Sequence, residues 1–189
     1  MVRGKPREEA ILSATRAELT ERGYEGMTID DIAARAHSSK ATIYRRWKNK
    51  AELVTAMLDA LDAADNAAIP ETGALRSDLV AVMDATREKA SAPYVAMIQD
   101  LVNASKRDPA LAAALKKHIA NEDLSPFHDV LARHFRRRDV DFDLVHDVAE
   151  AMVLRQLRVG APLDAAFVRR VVDRVILPLL PSAPRKGRP

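Results

Sequence analysis

Cysteine is absent from the 189 residues, which excludes disulfides, thiol redox sensing and thiolate metal sites. No apolar run approaches the roughly 20 residues of a membrane-spanning helix. The N-terminus lacks the apolar core of a signal peptide, so the expectation is a cytoplasmic protein with no membrane partner. Net charge is small, formally +3, which argues against a polycation that coats nucleic acid indiscriminately. Catalytic signatures are missing too: there is no Gly-x-Ser-x-Gly elbow, no phosphate-cradling glycine loop and no His-Glu-x-x-His. Neither catalytic residues nor a cofactor is therefore expected, and the chain does not read as an enzyme. His146 and Glu150 share a helix face at i and i+4, but two ligands do not make a metal site. His118, His128 and His134 fall at spacings that no single helix face collects, so no metal is expected. No internal repeat is present.

What remains is a composition of 48% hydrophobic and 30% charged residues, ordinary for a globular chain of one or two domains with a respectable core. The charge is unevenly placed. Residues 1–50 hold eleven cations against seven anions, a balance of +4, so the rest of the chain nets about −1. A basic N-terminal segment on a near-neutral body is an electrostatic footprint for phosphate.

Within that segment, residues 28–50 read as helix, tight turn, helix. Thr28 can cap the first helix, with Asp31 completing a Thr-x-x-Asp capping box. Ile29, Ile32, Ala33 and Ala36 give a short apolar face at helical spacing. His37 and Ser38 interrupt it, and Ser39 can cap a second helix from Lys40 to about Trp47. That helix has an apolar side, Ile43 and Trp47, and another side offering Lys40, Thr42, Tyr44, Arg45 and Arg46. A core-facing stripe backed by small hydroxyls, a phenol and cations is what a helix inserted in a DNA major groove requires.

This segment resembles the tetracycline-repressor (TetR) family of transcriptional regulators. The resemblance rests on Gly23-Tyr24, Met27-Thr28-Ile29, Asp31-Ile32-Ala33, Ala36, the run from Ser39 through Lys40, Ala41, Thr42 and Ile43 to Tyr44, then Trp47 and Lys50-Ala51-Glu52-Leu53. Two positions depart from the family pattern: its turn glycine is His37 here, and its apolar turn residue is Ser38. His37 at positive φ carries a modest strain that glycine would not, although histidine is among the residues better tolerated there. The close match covers the first third of the chain; beyond it only the layout of helices agrees.

The resemblance implies an all-α fold of about nine helices: a DNA-binding domain at 1–50, a ligand-binding and dimerisation domain at 51–180, and a disordered basic tail at 181–189. It implies a homodimer that binds a palindromic double-stranded DNA operator and is released from it by a small-molecule effector. The alternative is a regulator with no such effector, governed by a protein partner or by its own abundance. The candidate DNA-binding residues are Arg3, Lys5, Thr28, Ser38, Ser39, Lys40, Ala41, Thr42, Tyr44, Arg45 and Lys50. Residues 1–7 read as a mobile arm, either a frayed terminus or a segment whose Arg3 and Lys5 touch phosphate or a minor groove. Lys50 sits at a helix start, where a cation is electrostatically misplaced unless it meets phosphate.

The first helix is expected from about Arg7 to Arg22, stopping at Gly23. Asn49, with Glu52, opens another that runs to about Ala68 before Pro70. Further helices carry Leu75, Leu79, Val82 and Met83; then Val95, Ile98, Leu101 and Val102; then Leu111, Leu115 and Ile119 after Asp108-Pro109. Pro126 must kink or break the chain's next helical run, whose apolar face takes in Leu124, Phe127, Val130, Leu131 and Phe135. The following run, Arg136 to Arg138, reads as solvated, with DNA contact as the alternative. The last two helices start at Asp141 and Asp164 and carry apolar bands wider than one neighbouring helix covers. The resemblance implies that this pair meets a symmetry mate; the alternative buries both within one subunit. For an effector pocket, the candidate lining is Met83, Tyr94, Met97, Leu101, Phe127, Leu131 and Met152. Arg155 and Gln156 are its possible polar anchors, although the Arg155 guanidinium can equally reach solvent.

Overall fold

The computed structural model describes residues 5–66, 69, 71–119 and 125–181. Arg3, Leu124, the end of the helix expected near Ala68, and the tail from residue 182 lie outside the described residues. Those described are helical, with no strand among them. In chain order the helices are α1 (Lys5–Gly26), α2 (Ile29–Arg35), α3 (Lys40–Tyr44), α4 (Lys50–Asn66), α5 (Leu75–Lys89), α6 (Ala92–Ser105) and α7 (Pro109–Ile119). After them come α8 (Pro126–His134), α9 (Phe142–Arg158) and α10 (Ala165–Val171), which runs through a π-helical stretch (Val172–Ile176) into the short α11 (Leu177–Leu179). No helix of the described residues is long and apolar enough to cross a membrane.

Most of the helices start where side-chain oxygens take up otherwise orphaned backbone N–H groups, α5 and α6 being exceptions. Asp108 Oδ1 accepts from Ala110 and Leu111, Asp141 from Leu144, and Asp164 from Phe167. At the head of α4, Asn49 Oδ1 accepts from Glu52 N at 2.9 Å, while the Glu52 carboxylate returns to Lys48 N at 2.8 Å. Ser125 caps α8 and Pro126 is its first residue, where a missing N–H costs nothing; the proline opens a helix rather than kinking one.

Two compact units form. The first holds residues 1–64 and 91–124, the second 65–90 and 125–189. The units are thus drawn differently from a division at residue 50, because α6 and most of α4 belong with the N-terminal helices. In the first unit α1 packs on α2 and α6, α2 on α3, and α6 on α7. Ile11, Ile32, Ile43, Leu53, Leu101 and Leu111 are its most enclosed apolar side chains. In the second, α5 packs on α8 and α10, and α8 on α9, around Leu79, Val82, Leu131, Val168, Val172 and Ile176.

Several expectations need correcting. α1 begins at Lys5, so only residues before it are left for an arm. The helix breaks at Gly23 (φ 70°, ψ 172°) but then makes one more turn to Gly26. That conformation belongs to glycine, and a Cβ there would lie 3.2 Å from both Asp100 carboxylate oxygens. Val102, expected inside, is 51% exposed, and Ile119, at the end of α7, is 80% exposed. In the last helical stretch, Phe167, Val168, Val171, Val172, Ile176 and Leu180 are buried within the single chain, Val175 is half-buried and Leu179 is 51% exposed. Helices α5 and α9 cover the buried part of that band, so most of its breadth is accounted for within one chain.

Candidate nucleic-acid interface

The geometry of the reading head is set by two caps and one turn. Thr28 Oγ1 accepts from Asp31 N at 3.2 Å and donates to Asp31 Oδ2 at 2.7 Å. This hydroxyl is the main cause holding the Asp31 carboxyl below its ordinary value. At the far end of α2, Ser38 N reaches Ala33 O at 2.9 Å and His37 N reaches Ala34 O at 3.2 Å. These are the paired bonds of a Schellman stop, which places the intervening residue in the left-handed region. His37 occupies it at φ 47°, the one non-glycine residue with positive φ among those described. The chain leaves the turn extended, and Ser39 Oγ receives Thr42 N at 3.2 Å and meets Thr42 Oγ1 at 2.9 Å, opening α3.

α3 is short, and packing orients it. Ile43 is fully buried and Trp47, just beyond the helix, is 8% exposed. Burying an isoleucine is worth about 1.5–3 kcal/mol, enough to fix which side of so small a helix faces inward. Lys40, Ala41, Tyr44 and Arg45 are consequently exposed and Thr42 is half-buried. Tyr44 leaves 51% of its surface open, and among the described residues Arg45 makes no ion pair.

Four other cations of the head are paired. Lys40 Nζ lies 2.5 Å from Asp30 Oδ1, and Arg46 pairs with Glu8. Glu18, buried, takes Arg22 at 3.1 Å and Arg35 at 2.8 Å. Arg35 also forks onto Glu21, and that hydrogen bond holds the Glu21 carboxyl below its ordinary value. Two candidates are placed differently from a groove-facing residue. The Ser38 hydroxyl is buried with no protein partner. Lys50 bends inward, donating to Tyr24 O at 2.6 Å and Met27 O at 3.2 Å, with its ammonium 4.2 Å from the Tyr24 ring centroid. Burial pushes its pKa below the ordinary lysine value, opposed by Asp108 and Glu25. Thr28, Ser39 and Lys5 are exposed, and Arg3 lies outside the described residues.

The candidate effector residues divide between the units. Met97 and Leu101 are buried in the core of the first, with Tyr94 half-buried against it. Met83, Phe127 and Leu131 are buried in the second, with Met152 half-buried against them. Arg155 is exposed, and Gln156 Nε2 donates to Pro162 O at 2.7 Å. Two surface clefts of about 350 and 570 Å³ lie in the second unit. Residues 132–143 and Pro181 line them, none from the candidate set.

Two of the histidines are taken up by pairing and packing. His118 stands between Asp59 (2.5 Å) and Asp62 (3.4 Å), one on each ring nitrogen. His146 stacks on Phe127 at 5.8 Å, and burial lowers its pKa. Among the described residues no group of three or more potential ligands is arranged to hold a metal ion.

Comparison with known proteins agrees with this geometry over most of the chain. Residues 11–57 match the profile of bacterial regulatory proteins of the tetR family, and residues 69–175 match the tetracyclin repressor-like C-terminal domain. The chain is 46% identical over 184 residues to a DNA-binding transcriptional repressor TetR of Mycobacteroides abscessus, covering 95% of this chain and 97% of that one. Among solved structures, the TetR family transcription regulator SCO0332 superposes with a TM-score of 0.72 at 25% identity, covering 93% of this chain and 99% of that one. The fold of the multidrug binding protein EbrR, solved with ethidium, superposes with a TM-score of 0.64 at 19% identity, over 89% and 96% of the two chains.

Proposed function

The chain belongs to the TetR family of DNA-binding transcriptional regulators, and from that premise we propose that it is a homodimeric repressor whose α3 reads a palindromic operator in the major groove. The observation that carries this reading is the division of α3 between an inward side, Ile43 with Trp47 beyond it, and an outward side of Lys40, Ala41, Tyr44 and Arg45. Arg45 and Lys40 are suited to guanine edges or phosphate, Thr42 and Ala41 to a thymine methyl, and Tyr44 to phosphate. Thr28 and Ser39 flank them from the two caps. Lys50 leaves this list, because its ammonium is taken up by main-chain carbonyls of its own unit. Such work fits a cytoplasmic protein.

The dimer is supported by α9, which exposes Leu144 and Leu154 in the single chain. Two heads held about 34–36 Å apart would meet successive major grooves. A small molecule releases such a dimer only in so far as it binds better to a conformation with wrongly spaced heads. The ethidium complex of EbrR, a multidrug binding protein of similar fold, supports a small-molecule effector. The enclosed Met83, Leu101 and Leu131 favour the second reading, a packed body with no effector.

Selecting genomic fragments with the purified protein tests the proposal. A shared inverted repeat bound by two chains is expected, and candidate effectors drawn from the neighbouring genes should release it. Fragments with no common sequence would overturn the operator reading. A common repeat that no such compound releases would favour the packed body.

A further inference from the structure

Nothing in a purely attractive DNA-binding surface calls for carboxylates beside its cations, yet two of them hold cations in and just after α3. Asp30, second in α2, holds Lys40 at the start of α3, and Glu8 of α1 holds Arg46 just after α3. Both carboxylates are open to solvent, at 62% and 39% side-chain exposure, so they are not present to satisfy a buried cation. Each bridges two different helical elements, which fixes the direction of a long, otherwise adaptable side chain. An exposed ion pair adds little to stability, so the consequence to look for is in binding.

Binding to random duplex is almost wholly electrostatic: each phosphate neutralised adds about 0.9 to the slope of log affinity against log salt. A cation already paired contributes less to that sum. We propose that Asp30 and Glu8 are specificity-determining residues. They keep Lys40 and Arg46 paired on random sequence and yield them only where α3 is fully seated on its operator. This rests on the reading of α3 as the groove helix. The carboxylates lower the affinity for the vast excess of wrong sites more than for the right one, and the discrimination ratio rises.

The test measures full-length parent, Asp30→Asn, Glu8→Gln, Lys40→Ala and the Asp30→Asn/Lys40→Ala double variant. Each is titrated against a random-sequence duplex and against a fragment recovered by genomic selection, over a range of potassium chloride. Asp30→Asn and Glu8→Gln should each tighten random-duplex binding by about twofold to fivefold, the scale of an exposed pair. They should steepen its salt slope by about 0.9 and change operator affinity less. Unchanged or weaker random-duplex binding overturns the proposal. So does a gain from Asp30→Asn that persists with Lys40→Ala, since Asp30 would then only repel phosphate. Failure of the groove reading looks different: Lys40→Ala would leave operator affinity untouched.

Discussion

Tyr24 donates its phenolic hydroxyl to Asp108 Oδ2 at 2.8 Å, joining the end of α1 to the start of α7 across 84 positions of sequence. The other oxygen of the same carboxylate accepts from Ala110 and Leu111, so one side chain both caps α7 and ties it to the first helix. Asp100, on α6, accepts from Tyr24 N at 2.7 Å. The helical break at Gly23 makes room for that carboxylate. Main-chain geometry and two aspartates thus lock the end of the first helix within its unit.

The Tyr24 hydroxyl is the largest cause holding the Asp108 carboxyl below its ordinary value, followed by the Leu111 N–H. A carboxyl with a depressed folded-state pKa stabilises the fold above its unfolded pKa, and that contribution is lost as pH falls through the folded value. Tyr24→Phe should therefore cost about 1–3 kcal/mol at neutral pH. It should also reduce the further loss seen between pH 5 and strongly acidic conditions. Denaturant titrations at several pH values measure both, and parallel stability curves for parent and variant would remove Asp108 from the acid-sensitive set.

His37 holds a left-handed backbone, φ 47°, where the two Schellman bonds of α2 require it. Such a conformation costs a residue with a Cβ about 1–2 kcal/mol, part of which glycine's larger unfolded-state entropy returns. His37→Gly should stabilise the protein by up to about 1 kcal/mol, seen as a higher denaturation midpoint. A lower midpoint would mean that the imidazole makes a compensating contact.

Lys50 offers a choice between two roles. The amino group meets Tyr24 O and Met27 O and lies over the Tyr24 ring, which makes it a strut between α4 and the α1–α2 corner. Lys50→Met should lower stability by about 1–2 kcal/mol and leave the salt slope of DNA binding unchanged. A slope flatter by about one unit would return Lys50 to the phosphate contacts.

The contrast between Lys50 and the helix caps explains what was legible in the sequence. Thr28, Ser39, Asp108, Asp141 and Asp164 bond to backbone two or three residues away. Residue type and spacing suffice for those, as does the turn template for the positive φ at His37. Lys50 finds its carbonyls 23 and 26 positions earlier, and Arg46 finds Glu8 38 positions earlier; no local periodicity encodes such partners. Apolar breadth is ambiguous for the same reason. It reports that the last helical stretch is covered, and α5 and α9 of the same chain do much of the covering. At Ile119 an apolar residue at helical spacing lies 80% exposed, because spacing gives a face and cannot say what covers it.

The proposed interface between two chains is best tested on α9. Leu144 and Leu154 are 56% and 52% exposed. With Ala151, exposed, and Val148, half-buried, they follow one helix face at steps of four, three and three. An apolar stripe of this kind, left open by its own chain, costs nothing to mutate if it stays in water, since exposed substitutions shift stability by about 0.5 kcal/mol or less. Leu144→Glu combined with Leu154→Glu should leave the denaturation midpoint of the monomer unaffected. Sedimentation equilibrium should show that the variant no longer forms dimers. Operator binding should fall steeply while random-duplex binding changes little, because only the operator rewards two heads at fixed spacing. A variant that still sediments as a dimer would move the interface off α9. A parent that is monomeric at micromolar concentration would remove the dimer itself.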